Sequence, residues 1–539
     1  MAGTGVLEAF GLGLGIASLL TAFKGALDGY LLIESIFDKD NGLRDLILDY
    51  YIEREKLNSW GDRFHVNAAS REDCLLNREP ERIKRLLAEI FGRIKRCHEE
   101  AEGYLTIHQD SDHRVDYQNM LHATGDLNKH LQLDGPQVKA MSEAQMAKQQ
   151  RKRVKWAIKN KEKFENVVKR LRKSNEDLLG LLTEPSLYAF VRALPAYVLA
   201  NINSVFDLQQ AQVMNGPEND LIRQAARLKI LQSGPANSRD AELIDFQALH
   251  PAQARSTVQW SRHVHTYNNS IWAWIEWLDM GPTLMPAQKT ESQNRIKTLS
   301  VMLRSAPESF DIARCIGYCN DFSKPHRIGL VFRIPQDLGM AVPMSLLDII
   351  KRYKTEKTPP LGDRFRLAQR LATILMQLHA SDWLHKAFRS DNILFFLGPA
   401  AYITKPYLAG FEYARDMSMR SIGTRPTGEN GLDYYYHPEV ANGFSKTLDL
   451  YSLGVVLLEI ALWRPLVKPE DGASLDLHHK RFVAFATSNR DILDAAVGST
   501  YAGVVRTCLQ RSLPDPKFGA EFACAVNTQI VLPLERCSA

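Results

Sequence analysis

One short stretch gathers four residues that could do chemistry together. In "WLHKAFRSDNILFF", residues 383–396, His385, Arg389, Asp391 and Asn392 fall close together. Phosphoryl transfer needs a carboxylate to take the proton of the attacking hydroxyl, oxygen ligands for Mg²⁺ and a cation on the phosphate. Asp391 offers a carboxylate, Asn392 an amide oxygen for metal, and Arg389 a guanidinium for phosphate. Other sets carry less. Cys315 and Cys319 form a CxxxC with no second ligand pair nearby, which reads as buried thiols rather than a metal site. His263 and His265 have no adjacent acid to complete a metal triad, and no Ser-His-Asp or Cys-His set is recognisable.

The stretch needs elements to hold it. Upstream, Phe365, Ala368, Leu371, Ile374, Leu375 and Leu378 recur at helical spacing and predict a helix running into it. Before that, "HRIGLVFRIP" at 326–335 reads as a strand leading into an extended segment. Downstream lie "YLAGFEYAR" (407–415), "YYYHPEV" (434–440), "DLYSLGVVLLEI" (449–460) and "VVRTCLQRSL" (504–513), the last a late helix.

In order and spacing this set resembles the protein-kinase domain, over about residues 255–539. The kinase catalytic loop runs His-Arg-Asp-x-x-x-x-Asn, and His385 and Asn392 match its ends. The slot of the catalytic Asp holds Ala387. The metal-binding Asp of the DFG motif aligns with Gly410, followed by Phe411 and Glu412. Pro438 and Glu439 match the APE motif, and Asp449 and Gly454 match the αF signature. The phosphate-cradling loop falls on "RSTVQWSRHVHTYNNS", which has no glycine, and the strand after it offers Glu276 where kinases carry Lys. An acid there repels phosphate. The resemblance therefore implies a fold kept for binding and stripped of its catalytic residues. Arg389 and Asn392 remain as weak candidates for holding a phosphate. No cofactor and no metal is implied. A rival reading, an atypical ATP-binding kinase using Asp391 or Glu412, stays open.

The first half is of another kind. Residues 5–36 read as a helix or helical hairpin, with no charge between Glu8 and Lys24. That run falls short of the roughly 20 residues that span a bilayer. Gly11 and Gly15 form a GxxxG with Gly13 between them, which suits either a tightly packed core helix or a membrane-active one. Amphipathic stripes follow at Leu43, Leu46, Ile47, Tyr50, Leu57 and Trp60, and from Ile83 to Tyr104. Residues 109–147 are polar and irregular and read as a long loop. Residues 148–173 carry twelve Lys or Arg, among them Lys152, Arg153, Lys155, Lys159, Lys169 and Arg170, against two acids, Glu162 and Glu165. Val154, Ile158, Phe164, Val168 and Leu171 mark the inward face of that segment. Its basic face is either solvated or a surface for anionic lipid. A last helix over about 186–213 contains Pro195, which should kink it.

The apolar N-terminus, "REKLNSWGDRF" at 54–64 and "RKRVKWAIKNKEKFENVVKRLRKSNEDL" at 151–178 resemble the fungal HeLo domain of heterokaryon-incompatibility prion proteins. The resemblance covers about residues 5–215. It implies a domain that oligomerises, enters membranes through its N-terminal segment and kills the cell. The chain ends "NTQIVLPLERCSA", without the Asn/Gly-rich repeats of prion-forming relatives, so prion behaviour is not carried over.

At 539 residues the chain exceeds a single core. The expected fold class is multidomain: an all-α helical bundle over 1–215, a linker over 216–255 with a short helix near 219–232, and an α+β bilobal kinase-like domain over 256–539. A net charge of +5 over this length does not suggest a nucleic-acid partner. Seven scattered cysteines give no disulfide framework and suit a reducing compartment. No cleavable signal peptide is recognisable, since the opening segment lacks a basic n-region. These features predict a cytoplasmic protein. The HeLo resemblance implies membrane association on activation and self-association, and the expected partners are further copies of the chain, anionic lipid and an upstream protein. A soluble scaffold without membrane action remains the third reading.

Overall fold

The computed structural model describes residues 16–36, 44–66, 74–106, 162–200, 204–214, 219–233, 241–251, 264–279, 286–321, 326–336, 343–352, 358–396, 405–411, 415–416, 432–467, 473–488, 490–517 and 519–539, with a few single positions between. The chain forms two compact units, Met1–Leu194 and Pro195–Ala539.

The first unit is helical: α1 (Ile16–Ile36), α2 (Arg44–Arg63), α3 (Glu81–Thr106), α4 (162–179) and the start of α5 (Glu184–Leu199). Helix α1 packs on α2 and α3 through an aromatic centre. The ring of Phe23 lies 5.4 Å from Phe91 edge-on and 6.2 Å from Trp60. A Cβ on Gly61 would sit 2.2 Å from Phe23 Cζ. The Trp60-Gly61 pair is thus a lid and a gap, the indole covering Phe23 and the glycine making room for it. Gly29 makes the same kind of room for His98, whose Nδ1 pairs with Tyr50 Oη at 2.7 Å. Burial pushes His98 down to about 3, so the ring is neutral at physiological pH.

Helices α2 and α4 meet through charges. Glu53, Arg54, Glu55 and Lys56 are consecutive and all buried. Glu53 Oε1 takes Lys56 Nζ at 3.0 Å and Arg172 Nε at 3.2 Å, and Asn175 Nδ2 reaches Glu53 Oε2 at 2.9 Å and its carbonyl at 2.8 Å. Asp49 adds a second carboxylate beside Arg172 at 3.2 Å. The two charged motifs, far apart in sequence, are therefore two halves of one network. Breaking such a buried pair costs about 3–5 kcal/mol, because a charge is left without compensation.

The second unit holds a five-stranded antiparallel sheet in the order β1 (Leu249–Pro251), β2 (Val264–Tyr267), β3 (Ile271–Asp279), β5 (Arg327–Arg333), β4 (Cys315–Asn320). Alternation along β3 separates two faces. Ala273 and Ile275 pack with Ile244, Leu249, Cys319 and Val331. Trp274 and Glu276 point the other way, and Trp274 stacks on Phe332 at 5.3 Å. Helix α8 (Pro286–Ser305) lies against β4. The helical remainder includes α9 (Leu346–Arg352), α10 (Leu361–Ala380), α11 (Lys446–Leu462), α12 (Leu475–Ser488) and α13 (Arg490–Gln510), the last interrupted at Gly498. Helix α11 is buried from Thr447 to Ala461, the mark of a central helix. All six apolar positions that predicted a helix before the loop are buried on α10.

The stretch from Glu184 to Pro251 differs in part from its sequence reading. The single helix expected over 186–213 is two, α5 and α6 (Val205–Gln212); α5 runs through Pro195. Within the stretch read as a linker, the short helix expected near 219–232 is present as α7 (Asp220–Ser233), and β1 follows it; Ile244 N and Tyr318 N exchange hydrogen bonds with Tyr318 O and Glu242 O at 2.8 and 2.9 Å. The Gly and Pro clusters suggested looseness, but the apolar positions Ile222, Ala225, Ala226, Ile244 and Leu249 are buried.

Candidate functional site

The loop from His385 to Asn392 is anchored from behind by Asp449, in the first turn of α11. Asp449 is buried, and its two oxygens accept the backbone amides of His385 and Lys386, each at 2.8 Å. A carboxylate at a helix N-terminus is doubly favoured there, by the helix dipole and by the amides it satisfies. His379 Nε2 lies 3.3 Å from the same carboxylate. His385 meets the Ala409 carbonyl through Nε2 at 3.0 Å, while its Nδ1 receives Ala387 N at 3.3 Å. Those partners assign the proton to Nε2. Burial pushes the ring down to about 4, which keeps it neutral. Asn392 closes the turn, giving Nδ2 to Ala387 O at 2.9 Å, and its carbonyl takes Ala409 N at 2.9 Å. Sequence reading named His385, Ala387, Asn392 and Gly410, and the fold brings all four together.

The groups facing this loop are unusual for phosphoryl transfer. Gly410 has φ 76, and a Cβ there would lie 2.1 Å from Asn392 Cγ. Its amide donates to Glu276 Oε2 at 2.9 Å, so an acid from β3 is drawn onto the segment that follows the loop. Two residues earlier on the same face of β3, Trp274 fills the space between Phe332 and Phe396, whose rings lie 5.3 and 5.5 Å away. The methyl of Ala387 is fully buried. Asp391 and Arg389 hold each other in a two-pronged pair, Nε to Oδ1 and Nη2 to Oδ2, both at 3.0 Å. A guanidinium used this way is a poorer phosphate ligand, and a carboxylate gripped on both oxygens is a poorer base. Arg389 Nη1 also reaches Tyr436 Oη at 3.3 Å. Glu412 and His263 lie outside the described residues; His265 sits on β2, opposite Ala273 and Pro251. Among the described residues no group of three His, Cys, Asp or Glu is arranged to hold a metal ion. Cys315 and Cys319 are buried thiols pushed up to about 12 by burial.

Beneath the loop lies a cluster that sequence reading missed. Glu459, buried in α11, accepts hydrogen bonds from Tyr434 Oη at 3.1 Å, Tyr435 Oη at 2.7 Å and the Ser390 hydroxyl. Burial pushes its carboxyl up to about 7, with the three hydroxyls pulling the other way. Its sequence signal was an acid inside the apolar run "LGVVLLEIAL". Glu439 of "HPEV" pairs with Arg511, tying that turn to the end of α13.

With this geometry in place, the comparisons fall into two parts. Residues 11–210 match the HeLo family model, described as prion-inhibition and propagation. Residues 323–537 match a domain of unknown function, DUF7580. The chain is similar to several kinases. It is 28% identical over 116 residues to the probable serine/threonine-protein kinase kinY of Dictyostelium discoideum, covering 21% of this chain and 20% of that protein. It is 28% identical over 182 residues to the L-type lectin-domain containing receptor kinase IX.2 of Arabidopsis thaliana, covering 33% and 24%. It is 26% identical over 174 residues to the mitogen-activated protein kinase kinase kinase YODA of the same plant, covering 31% and 18%. The chain thus spans a quarter or less of the length of these relatives.

In the HeLo region, the glycines Gly11, Gly13 and Gly15 and the cations Lys152, Arg153, Lys155 and Lys159 lie outside the described residues. So do Val154 and Ile158 of the inward face, whereas Phe164, Val168 and Leu171 are buried as expected. Lys169 and Arg170 lie on α4, more than half exposed, and each meets an acid: Lys169 Nζ is 3.5 Å from Glu165, and Arg170 pairs with Glu100. No described helix is long and apolar enough to cross a membrane.

Proposed function

We propose that this chain is a HeLo-type effector or regulator of fungal programmed cell death, in which a kinase-like domain that transfers no phosphate governs a membrane-perturbing helical domain. The cell-death part rests on the HeLo match over 11–210. One observation carries the loss of phosphoryl transfer: the Glu276 carboxylate sits on the Gly410 amide at 2.9 Å, with Asn392 packed into the space a side chain at 410 would need. On the kinase resemblance, Glu276 is an acid at the position of the phosphate-gripping Lys, and Gly410 offers no side chain at the position of a metal ligand. Trp274 supports the same reading by filling the adjoining space with stacked rings.

The mechanism is an equilibrium between two states. In the resting state the second domain restrains the HeLo region. Once released, HeLo regions associate with each other, their basic segment settles on anionic lipid, and the apolar N-terminal segment enters the bilayer. The exposed ion pairs of Lys169 and Arg170 do not oppose this, because such pairs contribute only about 0.2–1 kcal/mol. A basic residue at an anionic surface gains about 1 kcal/mol.

Two measurements on the full chain test the proposal. A thermal-shift titration with ATP, with and without Mg²⁺, should give no Mg²⁺-dependent stabilisation. Labelled phosphate transfer that disappears in Asp391→Asn would instead establish a kinase. Leakage of phosphatidylserine-containing vesicles, weakened by salt and absent with neutral vesicles, is the expected membrane result. Failure to bind anionic vesicles even at low salt would leave a soluble scaffold.

A further inference from the structure

The second unit grips the end of the HeLo-matching region at a defined point. The match runs to residue 210, yet the second unit starts at Pro195, so the last turn of α5 and all of α6 belong to it. Lys229, on α7, is buried, and its ammonium reaches two acceptors at 2.8 Å, the Leu199 carbonyl and Asp382 Oδ2. Leu199 is the last residue of α5, so its carbonyl lacks an intrahelical partner; Ile202 N also donates to it, at 3.3 Å. A buried cation there satisfies the acceptor and the negative end of the helix dipole together. Asp382, with φ 57, immediately precedes Trp383 and the His385 loop, and Lys446 of α11 holds its other oxygen at 2.7 Å. Burial raises the Asp382 carboxyl, but Lys446 and Lys229 outweigh it and hold the group below the usual range, so it is ionised. A second grip is independent of the first: Asn527 Nδ2 donates to Tyr197 Oη at 2.9 Å, both residues buried.

We propose that Lys229 is a latch that fastens the end of α5 and the whole of α7 to the carboxylate behind the His385 loop, and that opening it is the step that frees the HeLo region. The release part rests on the function proposed above; the latch itself does not. Buried charges favour a two-state device over a graded one, since losing one partner leaves the others uncompensated. The Asp382 end of the latch is one residue from β7 (Trp383–Leu384). A protein partner that engages the loop therefore acts on the carboxylate that holds α7, without any nucleotide.

The test is amide hydrogen exchange on the full chain, comparing the parent with Lys229→Met, which keeps the apolar stem, and Asn527→Leu. Lys229→Met is expected to speed exchange at 195–199 and 220–233 by about 10-fold or more while β3 and β5 keep their protection. Asn527→Leu is expected to speed 195–199 alone. Unchanged exchange in Lys229→Met overturns the latch. A rise in β3 and β5 equal to that in α7 also overturns it, because the pair would then be a general stability contact. Vesicle leakage reads the second part. Faster exchange with increased leakage supports release through the latch. Faster exchange with no leakage leaves the latch standing and defeats the membrane reading.

Discussion

Restoring the missing metal ligand should damage the protein rather than revive it. In Gly410→Asp, three costs follow from the geometry. The backbone at 410 has φ 76, a region where a side chain is strained by about 1–3 kcal/mol. The new Cβ would lie 2.1–2.4 Å from Cγ, Nδ2 and Oδ1 of Asn392, so Asn392 must leave. Its hydrogen bond to Ala387 O at 2.9 Å then breaks, stranding buried polar groups at about 1–3 kcal/mol. The introduced carboxylate also faces Glu276, whose Oε2 now holds the 410 amide. The first two costs sum to about 2–6 kcal/mol, a large part of the roughly 5–15 kcal/mol that holds a domain folded. Urea unfolding followed by tryptophan fluorescence measures this, with Gly410→Ala as the control that shares the first two costs and lacks the charge. A Gly410→Asp variant within about 1 kcal/mol of the parent would refute the reasoning. So would a melting temperature that rises when Mg²⁺ is added, because it would mean that Asn392 yields and a metal site re-forms.

Two further outcomes are expected. Glu459 has its carboxyl raised to about 7 from 4.5, so its contribution to stability is fully present below about pH 4.5 and is lost as pH rises through about 7. The loss is on the order of 3 kcal/mol. Denaturation at about pH 5 and about pH 8 should show this decline in the parent and a flatter profile in Glu459→Gln; an unchanged profile would remove Glu459 as its source. Gly61→Ala should destabilise the HeLo region by about 1–3 kcal/mol despite alanine's better helix propensity, because its methyl would lie 2.2 Å from Phe23 Cζ. Combined with Phe23→Leu, the two losses should fall short of additivity by at least about 0.5 kcal/mol; strict additivity in the melting data would show that the two residues do not compete for one space.

What the sequence disclosed follows the range of the interactions involved. The helix before the loop was legible because its signal is periodic and local, 361–380 carrying apolar residues at helical spacing, whereas strand β3 was placed by the kinase resemblance. Trp60-Gly61 was legible as a marker but not as a cause, since the reason lies in Phe23 on another helix. Glu276 could be read as an acid in an awkward place. That it would bind the Gly410 amide, 134 positions away, could not. The Glu459 cluster escaped for the same reason, its hydroxyls arriving from Ser390, Tyr434 and Tyr435 on separate segments. The stretch 216–255 misled because Gly and Pro at its ends are local signals of a loop, whereas the burial of Lys229 and the pairing of Ile244 depend on partners 74 or more residues further on.

The residues around the loop that match the kinase pattern and those that depart from it differ in one physical respect. Asp449, His385 and Asn392 satisfy backbone groups that the fold buries, so losing any of them exposes an unmet amide or carbonyl at about 1–3 kcal/mol. Ala387 and Gly410 carry no polar side-chain group to bring to the loop. Arg389 and Asp391 fit the same division, because they have turned their charges on each other. This loop is fixed on both sides of the same carboxylate: Lys446 holds Asp382 from α11 and Lys229 holds it from α7, while Asp449 holds the next turn. The proposed latch therefore couples a displacement of α7 to the loop, and a partner on the loop to α7. The control proposed for the second unit requires reciprocity of this kind.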